Sequence, residues 1–423
     1  MSGRATADVV VVGGGVIGLS IADVLAGEGV SVRLLEAEGL GQAASGAAAG
    51  MLAPVAEAHA DDPLLALSLA SLMRFDGLAQ RLREETGIDV ELEGEGSIVV
   101  DDADATGRVP ARSSDADETG VVPARSSDVD ETGVVPARPS DEGATRGVPA
   151  RPSDAALAAA AKQAGWTGGP LRVPLPAEAL DAPRRRLVSQ GRSAFFAPAE
   201  RHVRPPLLTR ALAASARARG VRIETGARVE RLVFAGDRLA GVESSSGRVD
   251  AGRVVVAAGP WTTVLLGASG LPPSARGSCA IEPVRGQILE LLPVAPLPRA
   301  MLRARGIYLV PKRDGSCIVG ATEERRGFER RVTAGGLAWL LERAAAVWPE
   351  LEQASFVRAW AGLRPVSPDG RPWIGAWPGP PGLVVAAGHG RNGVLLAPIT
   401  AALVADAILG RPVSALAHAC RVD

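Results

Sequence analysis

Val9, Val10, Val11 and Val12 form an unbroken apolar run, and a run without alternation predicts a strand buried on both faces of a parallel sheet. The period then changes. Ile17, Ile21, Val24 and Leu25 share one face of a helix predicted over Val16 to Gly27, and Val32 to Leu35 returns to a buried strand ending in Glu36. Pro63 to Glu85, with Leu64, Leu67, Leu72, Phe75, Leu78 and Leu82, predicts one long amphipathic helix. Short strands follow at Val90 to Leu92 and Ser97 to Val100.

After a long polar stretch, order resumes at Asp154, placed to cap a helix over Ala155 to Ala164. Ser193 to Phe196 reads as a strand, and Pro205 to Arg219 as a helix with Pro in its first turn. Strands are predicted at Val221 to Glu224, Arg228 to Phe234, Leu239 to Ser244 and Arg253 to Ala257. The last belongs to VVVAAGPW, Val254 to Trp261, an apolar strand entering a glycine turn, which returns the chain to the first sheet. Ile281 to Gly320 predicts a separate antiparallel sheet, with alternation clearest in Ile307 to Val310 and Cys317 to Val319. Ala334 to Val347 is a predicted helix. Phe356 to Leu363, Trp373 to Ile374 and Leu383 to Ala387 are predicted strands, and Val394 to Leu409 a closing helix.

The first strand and helix meet at Gly13, Gly15 and Gly18, in the pattern G-x-G-x-x-G. Gly13 permits the tight turn, Gly15 removes a side chain that would block a pyrophosphate, and Gly18 lets the helix pack closely on the strand. The helix start at Val16 and Ile17 presents unpaired amides and the positive end of the dipole. Glu36 then stands where an acid accepts hydrogen bonds from an adenosine ribose. Strand, loop, helix, strand and acid in that order predict a bound dinucleotide.

Two further small-residue stretches extend this picture. Gly41 to Gly50, GQAASGAAAG, is too apolar for an ordinary linker and reads as backbone held against a flat ligand. Gly388-His389-Gly390-Arg391-Asn392-Gly393 follows the strand Leu383 to Ala387 and opens a helix at Val394. A second helix start aimed at the same crevice suits a flavin, although an ordinary strand-to-helix turn has the same pattern.

Composition narrows the class. With 423 residues and 47% apolar content the chain can bury one large core or two. A net charge of −1 without a basic block argues against nucleic acid as a partner. Cys279, Cys317 and Cys420 show no C-x-x-C spacing, which fits a reduced, cytoplasmic setting, and His59, His202, His389 and His418 build no metal motif. No apolar run reaches the roughly 18 residues of a membrane span, so no membrane partner is expected. VPARSSD or VPARPSD starts at Val109, Val122, Val135 and Val148, a repeat of 13 residues. Its units lack an apolar face to stack, so Asp101 to Ser153 is expected to be a disordered, duplicated surface insertion, with a docking role as the alternative.

The segments VVVVGGGVIGLSIA (Val9 to Ala22), ASGAAAGML (Ala44 to Leu52), YLVP (Tyr308 to Pro311), VGAT (Val319 to Thr322), AGLRPVSPDGRPWIG (Ala361 to Gly375) and AAGHGRNGVLLAP (Ala386 to Pro398) together resemble glycine oxidase, the thiazole-synthesis branch of the FAD-dependent D-amino-acid oxidase family. The resemblance covers nearly all of the chain except the repeat.

It implies a mixed α/β fold: a Rossmann-type FAD-binding domain at 1–86, 201–270 and 361–423, interleaved with a substrate domain at 87–100, 154–200 and 271–360 built on a large antiparallel sheet. It implies non-covalent FAD, a small amino-acid substrate, dioxygen as acceptor, and a homo-oligomer. Arg364 would pair with the substrate carboxylate and Tyr308, the only tyrosine, would add its hydroxyl. Arg391 would lie by substrate and flavin. Ala44, Ser45, Gly46, Ala47, Gly50 and Met51 would approach the flavin, with Val229, Ala258, Gly259, Gly362 and the stretch from Gly388 to Val394 completing the cofactor site. His389 reads in itself as a structural turn residue.

The chain departs from the family pattern at Gly306 and Ile307, where bulkier polar residues are usual, at Glu323 after VGAT, and at Arg204, where the family often has Asp. The implied reaction is oxidative deamination of glycine, and of sarcosine or small D-amino acids, with hydrogen peroxide as product. The rivals are an amino-acid dehydrogenase feeding a quinone, the oxidase half of a tRNA-modifying enzyme, and a non-catalytic flavoprotein whose repeat binds a partner.

Overall fold

The computed structural model describes residues 6–100, 151–175, 194–272 and 280–422. All but the last three residues of the expected disordered insertion, and Cys279, lie outside the described residues.

The opening strand, Thr6–Val12, lies inside a sheet whose order is Trp373–Ala376, Leu383–Ala387, Gly247–Val256, Thr6–Val12, Val32–Glu36 and Arg222–Thr225. Val10 faces Val254 on one side and Arg33 on the other, both in parallel register. The unbroken apolar run has a direct cause. Val9 and Val11 belong to one core, with the helices Val16–Gly27 and Gly393–Leu409, while Val10 and Val12 belong to a second, with Leu265 and Trp373. Both faces are covered, and each buried Val contributes roughly 1.5 to 3 kcal/mol.

The first helix starts against this strand at very short range. A Cβ on Gly18 would lie 1.9 Å from the Gly13 carbonyl oxygen, so the helix can approach its own strand only without a side chain there.

The second sheet runs Ser355–Val366, Glu282–Leu292, Cys317–Gly320, Ile307–Pro311, Met301–Ala304, Ser97–Val100, Ala194–Ala197 and Val173–Pro174. It is antiparallel except where Met301–Ala304 pairs in parallel with Ser97–Val100. Its outer face is packed by the helix Ala334–Val347 through Trp339, Leu340, Ala344 and Val347 onto Leu289, Leu291, Leu309 and Val319. The inner face looks toward the first sheet.

Several elements differ from expectation. The helix expected over Pro63 to Glu85 is two helices, Leu65–Leu72 and Phe75–Thr86. The first is buried along its whole length and the second buries only Phe75 and Leu82, so the bend at Met73 and Arg74 carries the chain from core to surface. Val90 to Leu92 forms no strand, because Glu91 adopts a φ of 52°, outside the extended region. The cap of the helix Asp154–Ala164 is Ser153, whose Oγ accepts from the Ala156 amide at 3.1 Å, and Asp154 instead pairs with Arg172. Just before it, Arg151 donates to the carbonyls of Ala56 and Ala58 at 2.8 and 3.3 Å. Ser355–Val366 outlasts the expected strand end at Leu363, so the antiparallel sheet continues past residue 361. Gly390–Leu409, contrary to expectation, is long and apolar enough to cross a bilayer, but 61% of its apolar stretch is buried, packed beside Val16–Gly27.

The departure at Arg204 is resolved by its partners. Its guanidinium bridges Glu91 at 2.8 Å and Asp314 at 2.7 Å, joining the two halves of the chain beside the buried Lys312. Lys312 Nζ donates to the carbonyls of Ala49 and Val203 at 2.8 and 3.0 Å, which ties down the small-residue segment from below.

A short helix, Pro54–Glu57, hangs from a buried carboxylate. Glu200 Oε1 accepts from the Val55 and Ala56 amides at 2.6 and 2.8 Å, and burial pushes the carboxyl from its ordinary 4.5 up to about 7.

Two outcomes are expected. Gly18→Ala forces helix and strand apart and lowers the thermal midpoint, by calorimetry, by the equivalent of about 1 to 3 kcal/mol. Glu200 in the folded state holds its proton more tightly than in the unfolded chain, so it costs stability progressively as pH rises from about 4.5 to about 7. Glu200→Gln keeps an acceptor oxygen for the two amides; it should flatten the fall in thermal midpoint across that window and raise the midpoint at pH 8.

Candidate active site

A cavity of about 760 Å³ runs between the two sheets, from Glu36 at one end to Tyr308 and Arg364 at the other. Its volume lies in the range of ligand clefts. The Glu36 end is built from backbone. Gly13, Gly15, Val16 and Ile17 line it, and no side chain of the N-cap residue, Gly15, closes the helix start. Glu36 is pinned in place: its two oxygens accept from the Gly14 amide at 2.6 Å and the Glu38 amide at 2.8 Å. Ser45 Oγ accepts from the Val16 amide at 2.9 Å, fastening the small-residue turn to the helix start.

Most predicted residues meet at this cavity. Ala44, Ser45, Ala47, Gly50, Met51, Val229, Ala258, Gly259 and Gly362 line it, as do His389, Gly390, Arg391, Asn392, Gly393 and Val394. Gly18, Gly46 and Gly388 are outside the lining. Gly18 packs helix on strand. Gly46 donates its amide to Gly41 O at 2.6 Å, and Gly388 turns the chain at a φ of 79°. All three shape the backbone around the cavity. His389 is buried, its Nε2 3.1 Å from Thr400 Oγ1, and burial lowers it to about 3, so it is a neutral wall residue at ordinary pH.

The other end of the cavity is a row across the antiparallel sheet. Pairing places Trp360 beside Ile288, Ile288 beside Gly320, Gly320 beside Tyr308 and Tyr308 beside Arg303, so these side chains share one face. Two residues along the edge strand from Trp360 come Gly362 and then Arg364, on that same face. Glycines clear the space. A Cβ on Gly286 would lie 2.4 Å from the Arg364 guanidinium, one on Gly320 2.5 Å from the Tyr308 hydroxyl, and one on Gly362 2.4 Å from Ala47 Cβ.

Arg364 Nη1 donates to Thr322 O at 3.0 Å, and among the described residues no carboxylate pairs with it. Burial lowers its pKa, and burial likewise raises that of Tyr308, which therefore stays a hydroxyl donor. Arg391 lines the cavity as well, and its guanidinium is already engaged: Nη1 donates to Glu57 Oε2 at 2.8 Å and Nη2 to Glu323 Oε2 at 3.4 Å. Glu57 also accepts from Arg303. Burial alone would raise the Glu57 carboxyl, but Arg303 and Arg391 outweigh it and hold the group at about 2.

Sequence reasoning missed Glu57, Arg303 and the glycines under Arg364 and Tyr308. A signal existed for one of the charged pair: Glu57 is the only charged residue between Met51 and Ala58, and a charge in such a setting needs a partner.

The residues present fit FAD. Glycines open the wall beside a helix start whose N-cap, Gly15, carries no side chain, an acid is fixed beside it by the Gly14 amide, and a second helix start enters the same cavity at Gly393. The sequence profile described as "FAD dependent oxidoreductase", the DAO family, matches residues 8–407. The glycine oxidase of Geobacillus kaustophilus is 33% identical over 404 residues, covering 95% of this chain and 92% of that protein. The bifunctional protein ThiO/ThiG of Synechocystis sp. is 32% identical, covering 98% of this chain and 54% of that protein. The crystal structure of the Geobacillus kaustophilus glycine oxidase superposes with a TM-score of 0.74 at 29% identity, over 99% of both chains. With its glycine-lined cavity between a mixed sheet with a parallel centre and a largely antiparallel sheet, this chain belongs to the DAO family of FAD-dependent oxidoreductases.

Proposed function

We propose that this chain oxidises glycine, with sarcosine and small D-amino acids as further substrates, reduces dioxygen to hydrogen peroxide, and supplies the imine for thiazole synthesis. The observation that carries the reading is Arg364, a cation without a described carboxylate partner, beside the Tyr308 hydroxyl at the end of the cavity opposite Glu36.

In this reading the parallel sheet is the cofactor domain and the antiparallel sheet the substrate domain. Arg364 and Tyr308 hold the substrate carboxylate by charge-assisted hydrogen bonds. Gly286 and Gly320 leave the room in which the Arg364 guanidinium and the Tyr308 hydroxyl lie. Ile288 and the Ala44–Ala47 turn form apolar walls that keep water from the reacting carbon. The cationic side chains of Arg303, Arg364 and Arg391 disfavour an ammonium and so favour the neutral amine that the reaction needs. FAD, when bound, accepts the hydride and passes the electrons on. The departure at Gly306 widens the cavity wall beside Tyr308, which suits N-methylated substrates as well as glycine. The enzyme is read as a cytoplasmic homo-oligomer, with the exposed Phe356 and Val357 on the edge strand as self-association surface.

Peroxide release from the yellow protein is the test, with glycine, sarcosine, D-alanine and D-proline in turn. Glycine is expected to be turned over, and Arg364→Ala to lower kcat/KM at least about a hundredfold with its flavin retained. Reduction of the flavin without peroxide in air would overturn the oxygen acceptor in favour of a quinone; no reduction by any of the four would overturn small amino acids as substrates.

A further inference from the structure

The substrate end of the cavity carries more charge than a carboxylate clamp requires. Arg303, Arg364 and Arg391 line it, and so do Glu57 and Glu323. Glu57 is 9% exposed and shared between Arg303 and Arg391; Glu323, 48% exposed, reaches Arg391 from the other side at 3.4 Å. Arg151, held on the Ala56 and Ala58 carbonyls, also favours the charged form of Glu57 but is not part of the lining. Glu57 bridges Arg303 and Arg391, and Arg391 in turn reaches Glu323, so these four side chains form one connected ion-pair network.

Three guanidinium groups against two carboxylates leave one positive charge at this end of the cavity. A ligand bringing one carboxylate and a neutral amine cancels it. A ligand bringing two carboxylates leaves an uncompensated anion in a confined space, a cost that acts against binding.

We propose that Glu57 is the specificity-determining residue that sets this site for monocarboxylic and against dicarboxylic amino acids, by occupying Arg303 and Arg391 as an internal second carboxylate. It rests on the reading of this cavity as an amino-acid oxidase site. Glu57 does not need to touch the substrate: it fills, permanently, the place on two arginines that a second acidic group of a ligand would take. The same pair of arginines, freed of Glu57, is a ready receptor for that group.

The test uses the full-length protein with FAD bound and two ligands without an amine, methoxyacetate for one carboxylate and oxydiacetate for two. Isothermal titration calorimetry reads their dissociation constants independently of turnover, so failure of the oxidase reading and failure of this one are distinguishable. The wild type is expected to prefer methoxyacetate, and Glu57→Gln to shift the ratio at least about tenfold toward oxydiacetate. Glu57→Gln with Arg303→Gln restores the charge count and is expected to return the ratio to within about threefold of wild type. An unchanged ratio in Glu57→Gln with FAD retained, or no return in the double variant, would overturn the proposal. Where Glu57→Gln fails to fold, Glu323→Gln decides: a shift in the same direction supports the charge count and no shift overturns it.

Discussion

Everything at the cavity depends on how closely two sheets can be brought together across a turn of small residues. Ala47 meets the antiparallel sheet at Gly362, where even a methyl group on the strand would clash, and Trp360 Nε1 reaches the Ala47 carbonyl at 3.3 Å beside it. The same turn is tied to the parallel sheet through Ser45 and the Val16 amide. A single short segment therefore fixes the spacing of the sheets, and the spacing fixes the cavity. Lys312 holds the next residues from below by donating to the Ala49 carbonyl.

The second organising fact is electrostatic. Bringing Arg303, Arg364 and Arg391 into one pocket is costly unless each gains a partner, since desolvation of a guanidinium is not recovered by proximity to another. The structure solves this unevenly. Arg303 and Arg391 are satisfied by Glu57, and Arg364 has only a carbonyl. The group left short of a partner lines the cavity, and the proposed substrate carboxylate would supply the missing anion.

How much of this was legible follows from what kind of physics each feature rests on. The parallel sheet was legible because burial on both faces writes a run such as Val9 to Val12 directly into the sequence, and the helix Ala334–Val347 because its period is local. The break between Leu65–Leu72 and Phe75–Thr86 was not, because both halves keep apolar residues at helical spacing and only tertiary packing decides where the axis turns. Arg364 and Tyr308 were found through motif, yet the glycines that make room for them act through strands far apart in the chain, as Gly320 does for Tyr308. Glu57 and Arg303 are 246 residues apart, and no local pattern pairs them. Arg391 was expected at the site and is there, but its engagement by Glu57 came from an element whose position the sequence did not reveal.

The solitary tyrosine has a practical side. With Tyr308 the only residue of its kind in 423, any isotope or fluorine label introduced through tyrosine enters the protein at one place, and that place is the wall of the cavity. A fluorinated ring there would give a single resonance without assignment experiments, sensitive to the field of Arg364, Glu57, Arg391 and Arg303 at once. The chain thus carries a built-in local voltmeter, readable in the dark, in the absence of turnover, and in every variant that leaves the ring in place.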